Sequence, residues 1–390
     1  MVLSSGKHSD RPQIVVLGPL PPPYHGVSVA IRMMVESELR EEFDFVTVNT
    51  KRPLSLGGDF SFTKLKRDTI ASLQLLWALR RRPRIVYLPL SQTRLGALRD
   101  AIWILKASSL GCKCIIHLHG SYFRTLLDRD LEPIERRIIQ RALSRVSAAI
   151  VLSDSFRSIF HGLVCDDRIF VVHNGVDKEA IPPKRLEEAM IRRRQNGCSR
   201  LRVAFLSNLF EAKGFGELLE AAAWLTVHDH GTHFSFHLAG AWESDSVQQK
   251  WLAYIDQRGL RNQIEFLGVV DGAEKFRFLL NSDVFVFPSY QYEGQPLCII
   301  EALAAGLPVI ATARGCIPEK VWDGINGFII SEKDPVIIAN KLRLLARNPE
   351  LRVRMGYASR CIYEENYTAQ VFIKGLKGVF QQVLEMDQET

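Results

Sequence analysis

Short runs rich in Val, Ile and Leu recur through the first half of the chain, at Gln13–Gly18, Phe43–Asn49, Arg84–Leu90, Lys113–His119, Ala148–Ser153 and Arg168–His173. Runs this short, bounded by turn residues, predict buried strands. Amphipathic stretches at Lys66–Arg81, Thr93–Leu110 and Glu132–Arg145 lie between them and predict helices. Such alternation predicts a parallel sheet with helices on both faces. Residues 178–200 break the rhythm with "IPPKR" and "RRRQNGCSR" and read as a linker region. The alternation then restarts, with strands predicted at Leu201–Ser207, His233–Ala239, Gln263–Leu267, Asp283–Pro288 and Leu307–Ala311. Helices are predicted at Gly216–Val227, Val247–Arg258 and Ala273–Leu280, and the chain is wholly helical beyond Asp334. The expected fold class is α/β, two doubly wound Rossmann-like domains over 1–177 and 201–365 with a central cleft. A helical end over 366–390 is placed to cross back to the first domain. Ligands of such sheets sit at the carboxyl ends of strands.

One segment, "YEGQPLCIIEALAAGLPVIAT" from Tyr292 to Thr312, raises a chemical question. Pro296 suits a first helical position, Leu297, Ile300, Leu303 and Ala304 recur at helical spacing, and Gly306 with Pro308 ends the helix. Glu301 lies inside this mostly apolar helix and Glu293 just before it. A carboxylate there needs a polar partner or an exposed edge.

Composition narrows the possibilities. With 390 residues, 47% hydrophobic and 24% charged, the chain suits a globular protein of two domains. The opening "MVLSSGKHSDRPQ" lacks the pattern of a secretory leader, and the most apolar long stretch, Ala101–Leu118, contains Lys106 and Lys113, which argues against a membrane span. Seven scattered cysteines fit reduced thiols rather than a disulfide framework or a zinc site, and the expected location is cytoplasmic. Residues 1–177 carry 25 Lys+Arg against 17 Asp+Glu, whereas residues 178–390 carry 25 against 26. The basic half suggests an anionic partner, such as a membrane surface at the inner face or a lipid-linked acceptor. Nucleic acid is not expected, because the Arg80–Arg82 and Arg192–Arg194 runs lack interleaved aromatics.

Motifs exclude several enzyme classes. The first turn, "GPLPPPYHGVSVA", is no G-x-G-x-x-G, no GxxxxGK[ST] occurs, and no GxSxG elbow is present. No cofactor is called for. After the strand ending at Ser207 comes "NLFEAKGFGELLEA", where Asn208 precedes Lys213 and Gly214 at a helix start. A lysine beside free helical N–H groups suits a phosphate, and Gly294, Gln295 and Leu297 offer further N–H groups. "DRD" at Asp128–Asp130 reads as a solvated turn, so no metal site is expected.

These residues carry a resemblance. The chain resembles the retaining, GT-B-fold glycosyltransferases of family four (glycosyl transferases group 1) over nearly its whole length. "PSYQYEGQPLCIIEALAAGLPVIAT" is similar to that family's E-x7-E region through Glu293 and Glu301, and "SNLFEAKGF" to its phosphate-binding lysine segment. "NGVD" (Asn174–Asp177) resembles the end of its first domain, "GPLPPPYHGVS" its first loop and "HLHGS" its first-domain histidine segment. The resemblance implies a nucleotide-diphosphate sugar as donor and a glycan or lipid-linked molecule as acceptor. It implies catalytic roles for His119, Glu293 and Lys213. Glu301 would receive the ribose hydroxyls, the N–H groups around Gly294 and Leu297 with Lys213 would hold the diphosphate, and Gly26 would admit backbone to the phosphates or acceptor. Asn174, Asn208 and Gln295 complete the implied donor set. Two positions depart from the pattern: Asn208 stands where an arginine is common, and Tyr24-His25-Gly26 where a Gly-Gly pair is frequent. His25 reads as a loop histidine without a catalytic task, and His117 as structural. A nucleotide-sugar epimerase and a non-catalytic nucleotide-sugar-binding subunit are the rival readings.

Overall fold

The computed structural model describes residues 11–21, 26–50, 62–195 and 200–386; His25 and Tyr24 lie outside these. Two compact units result, one from residues 1–174 with 370–390 and the other from residues 175–369.

In the first unit the strands are β1 (Gln13–Gly18), β2 (Asp44–Asn49), β3 (Ile85–Pro89), β4 (Lys113–His117), β5 (Ala148–Val151) and β6 (Ile169–Val171). Every pairing is parallel, in the order β2-β1-β3-β4-β5-β6, with Val15 opposite both Val46 and Val86. The helices are α1 (Gly26–Glu36), α2 (Phe62–Leu79), α3 (Arg94–Ser109), the single turn α4 (Phe123–Thr125) and α5 (Pro133–Leu143). All five residues of β3 are buried, the signature of a strand covered on both faces.

The second unit has α6 (Pro183–Gln195), β7 (Arg200–Leu206), α7 (Phe215–His228), β8 (His233–Ala239), α8 (Asp245–Gln257), β9 (Ile264–Gly268), α9 (Gly272–Leu280) and β10 (Val284–Phe287). It continues with α10 (Leu297–Ala304), β11 (Val309–Thr312), β12 (Gly327–Ile330), α11 (Pro335–Arg347) and α12 (Pro349–Asn366). Its parallel sheet runs β12-β11-β10-β7-β8-β9. The winding proceeds from β7 to β8 and β9, then returns to lay β10 on the other side of β7. The chain leaving β7 therefore winds to one side of the sheet and the chain leaving β10 to the other, and this switch point is where a doubly wound sheet takes its ligand.

The final helix, α13 (Ala369–Glu385), supplies core to the first unit. Phe372, Leu376, Val379, Phe380 and Val383 join Ile14, Val16, Ile31 and Tyr87 in one buried cluster. The Phe380 ring meets Phe43 edge-on at 5.6 Å and Tyr87 at 6.2 Å. Lys377 pairs with Glu42 beside them.

Three local differences from the sequence reading have physical causes. The stretch read as a linker contains α6, a helix hidden by its charge. Its Arg193 is fully buried and donates to the carbonyls of Ser282 (2.8 Å), Ala305 (2.8 Å), Gly306 (2.9 Å) and Leu279 (3.2 Å). These carbonyls lie at the ends of α9 and α10, where intrahelical partners run out. Burial pulls the Arg193 guanidinium down to about 9. The four-residue β12, "GFII", was too short to register. Pro296 stands one position before α10 as its N-cap, in extended conformation (ψ 118°), rather than as its first helical residue.

Candidate functional site

The loop after β7 passes Ser207 and Asn208, makes a 3₁₀ turn over Glu211–Lys213, and reaches Gly214 at φ 82°. Gly214 is the N-cap of α7 and allows a close approach. A Cβ there would meet the Pro288 carbonyl oxygen at 2.2 Å, so the loops after β7 and β10 touch through backbone. A hydrogen bond from Tyr290 N to the Ala212 carbonyl (3.0 Å) braces the contact.

This bracing brings two predicted residues together. Lys213 Nζ lies 2.7 Å from Glu293 Oε1, and Ser289 Oγ donates to the same oxygen at 2.6 Å. Glu293 is only 6% exposed, and a carboxylate so placed requires such donors. Lys213 Nζ also sits 5.7 Å from the centroid of the Phe287 ring. The next loop fixes the Glu293–Gly294 peptide from the other side. Gly315 at φ 54° leaves no room for a Cβ, which would meet the Glu293 carbonyl oxygen at 2.3 Å. Cys316 donates to the Gly294 carbonyl from its N–H (3.2 Å) and its thiol (2.9 Å). Cys316 is held in turn by the buried Lys320, whose ammonium donates to its carbonyl at 3.0 Å and is pulled below the usual lysine range by burial.

Glu301, 7% exposed in α10, finds the partner its setting demands in Lys275 of α9, with Nζ 2.5 Å from Oε1. Burial, with Glu301 and Glu293 adding to it, pushes the neighbouring Cys298 thiol well above the usual range. Leu297 opens α10, Gln295 is buried just before it, and Asn208 accepts from Phe210 N at 2.8 Å through its carbonyl. The sequence reading missed Lys275 and Ser289. Lys275 lies 26 positions from Glu301 on another helix, and no local spacing links them. Ser289 is in the quoted "PSY" but carries no pattern of its own.

The first unit holds the other candidates. His119 lies two residues beyond β4, its ring stacked on His117 with centroids 4.0 Å apart. His117 is fully buried, with Nδ1 2.6 Å from the Tyr87 hydroxyl. Burial first and His119 second hold His117 well below the usual histidine range, so it stays neutral as a support for its neighbour. Gly26 begins α1 and is exposed, whereas Asn174 is buried at the end of the unit's first segment.

Asp128 and Asp130 are exposed at the end of a helical turn over Leu126–Asp130, whose Leu126 and Leu127 are buried. Arg124 pairs with Asp128 at 2.8 Å and the Tyr122 hydroxyl donates to Asp130 at 2.6 Å. Among the described residues no group of three or more His, Cys, Asp or Glu side chains is arranged to hold a metal ion.

Comparison with known proteins places this geometry. The family model for Glycosyltransferase Family 4 matches residues 24–180, and that for Glycosyl transferases group 1 matches residues 191–361. Spore coat protein SA of Bacillus subtilis is 29% identical over 54% of this chain and 58% of its own length. A glycogen synthase of Mycobacterium tuberculosis is 26% identical over 67% of this chain and 61% of its own. The chain thus spans less than two thirds of either relative. Among solved structures, sucrose-phosphate synthase of Thermosynechococcus elongatus superposes with a TM-score of 0.74 at 17% identity, over 96% of this chain and 100% of its own. HepE of Anabaena, solved in complex with UDP, gives 0.72 at 17% identity, over 95% and 100%. At such identity the likeness establishes the fold, which is GT-B. The two family models between them take in most of both units, and the chain belongs to the glycosyltransferases, its first half to Family 4 and its second to group 1.

Proposed function

We propose that the protein moves a sugar from a nucleotide-diphosphate sugar to a glycan or lipid-linked acceptor, with retention of anomeric configuration and without a divalent metal. The carrying observation is the Lys213–Glu293–Ser289 cluster at the β7/β10 switch point. When the bond from the anomeric carbon to the diphosphate breaks, its electron pair leaves on phosphate oxygen. Lys213 is the cation for that charge, helped by the N-termini of α7 and α10. On donor binding its ammonium turns from Glu293 toward the phosphates, freeing Glu293 for the hydroxyls of the sugar. Glu301 takes the ribose hydroxyls while Lys275 keeps it oriented. Gly294, Gln295, Leu297 and Asn208 complete the donor set on the second unit, and for Gly26, Asn174 and His119 of the first unit the resemblance supplies the role. Retention and these last assignments rest on the resemblance of the motifs to the family. The donor class gains support from UDP and UDP-glucose in structures of the same fold.

A thermal-shift screen of nucleotide sugars tests the reading. A ligand at a hundredfold excess over its dissociation constant adds about 2.7 kcal/mol. One nucleotide sugar and its bare nucleotide diphosphate should each raise the midpoint; no response to any of them overturns the proposal. With the responsive donor, release of altered sugar without acceptor would indicate an epimerase, and binding without turnover a non-catalytic subunit.

Activity should survive EDTA, and Asp128→Asn with Asp130→Asn should leave turnover nearly unchanged, since both aspartates are exposed and already partnered. A loss greater than about tenfold that Mn²⁺ or Mg²⁺ restores would exclude the metal-free step, which asks lysine and helix N-termini to supply that stabilisation.

A further inference from the structure

Helix α2, expected to be amphipathic, is apolar on both sides over residues 70–79. Ala71, Leu75, Ala78 and Leu79 are buried against the sheet, as a covering helix requires. The outward side, where charged residues belong, carries Ile70, Leu73, Leu76 and Trp77 instead, all exposed. Neighbouring α3 exposes Leu95 and Ile102, with Leu110 just past its end; Leu73 and Ile102 are each 61% exposed. The helices lie side by side, joined by Trp103 Nε1 to Ser72 Oγ (3.0 Å) and Arg99 to Asp68 (3.1 Å), so these side chains belong to one face. Large aliphatic groups gathered on one face mark an interaction surface rather than chance exposure.

Cations rim this face. Arg80, Arg81 and Arg82 follow α2 directly, and Lys106 stands exposed on α3. Arg81 lies over the Trp77 ring at 4.4 Å, which sets a guanidinium beside an indole that is itself part of the apolar face. Arg82 holds φ 49°, a left-handed conformation that glycine adopts without strain and arginine does not.

We infer that the α2–α3 face docks this protein on an anionic lipid surface, with Ile70, Leu73, Trp77 and Ile102 entering the headgroup boundary and the arginine run meeting the lipid charge. Exposed aliphatics with a tryptophan and adjoining cations are the chemistry of an interfacial helix. Charge indicates the occupant. The arginine run adjoining the apolar face is neutralised by anionic headgroups. The inference does not depend on which sugar is transferred.

The test is co-sedimentation of the full chain with vesicles of phosphatidylcholine alone and of phosphatidylcholine mixed with phosphatidylglycerol. Binding should appear only with the mixture and fall steeply from low to physiological salt. Replacing Arg80, Arg81 and Arg82 together by serine should weaken it roughly hundredfold. Leu73→Gln with Ile102→Gln should weaken it while leaving the melting temperature and turnover of a soluble acceptor unchanged, which separates docking from folding and chemistry. Equal binding to both vesicles, or none at any salt, overturns the inference. So does a concentration-dependent dimer that Leu73→Gln with Ile102→Gln disperses.

Discussion

Replacing Lys213 with alanine is expected to lower turnover roughly 10²–10³-fold in a protein that still folds, the usual loss for one preorganised electrostatic group. Two effects must be kept apart. The ammonium lies 2.7 Å from Glu293, and its removal leaves a buried carboxylate with the Ser289 hydroxyl as its recorded donor. Breaking a fully buried ion pair costs about 3–5 kcal/mol. Lys213 is 17% exposed, so the cost here is smaller but measurable by melting. A double variant, Lys213→Met with Glu293→Gln, removes both charges and should recover the melting temperature without recovering turnover. Circular dichroism and product formation measured on the same preparations give the answer. Near-normal turnover in either folded variant would refute the role of Lys213 in diphosphate departure.

The two glutamates should separate under kinetics. As a ribose ligand Glu301 contributes uniform binding, so Glu301→Gln should raise the donor KM and weaken the bare nucleotide diphosphate by about 1.5–3 kcal/mol, the worth of a charged hydrogen-bond acceptor. Glu293→Gln should instead lower kcat and barely change affinity for the bare nucleotide. Lys275 supplies an internal control, because its only assigned task is to hold Glu301 at 2.5 Å. Lys275→Met should therefore shift nucleotide affinity in the same direction as Glu301→Gln and spare kcat. Calorimetry with the nucleotide diphosphate beside steady-state kinetics distinguishes these cases. Equal weakening by Glu293→Gln and Glu301→Gln would mean the roles are wrongly divided.

The α/β class and the restart of the alternation were readable because buried parallel strands are continuous apolar runs. β1 and β8 fall on the predicted residues, and the other predicted strands within one or two positions at each end. What was not readable has long-range causes. In α6 the core position is taken by an arginine whose value lies in five carbonyls far along the chain. The helical end was expected to cross back to the first domain, but nothing in its pattern names Phe43 or Tyr87 as the rings it meets there. At the site, Glu301 was seen to need a polar partner, yet identifying Lys275 required knowing that α9 and α10 lie together.

The placement of α13 has a consequence on the ribosome. The first unit is made first and completed last. Its face lined by Ile14, Val16 and Tyr87 waits for Phe372 and Phe380 until residues 175–369 have been synthesised. At 5–20 residues per second that interval is roughly ten to forty seconds, long enough for a chaperone to occupy the open face. A stall just after residue 369 would leave a finished second unit tethered to a first unit with its core still exposed.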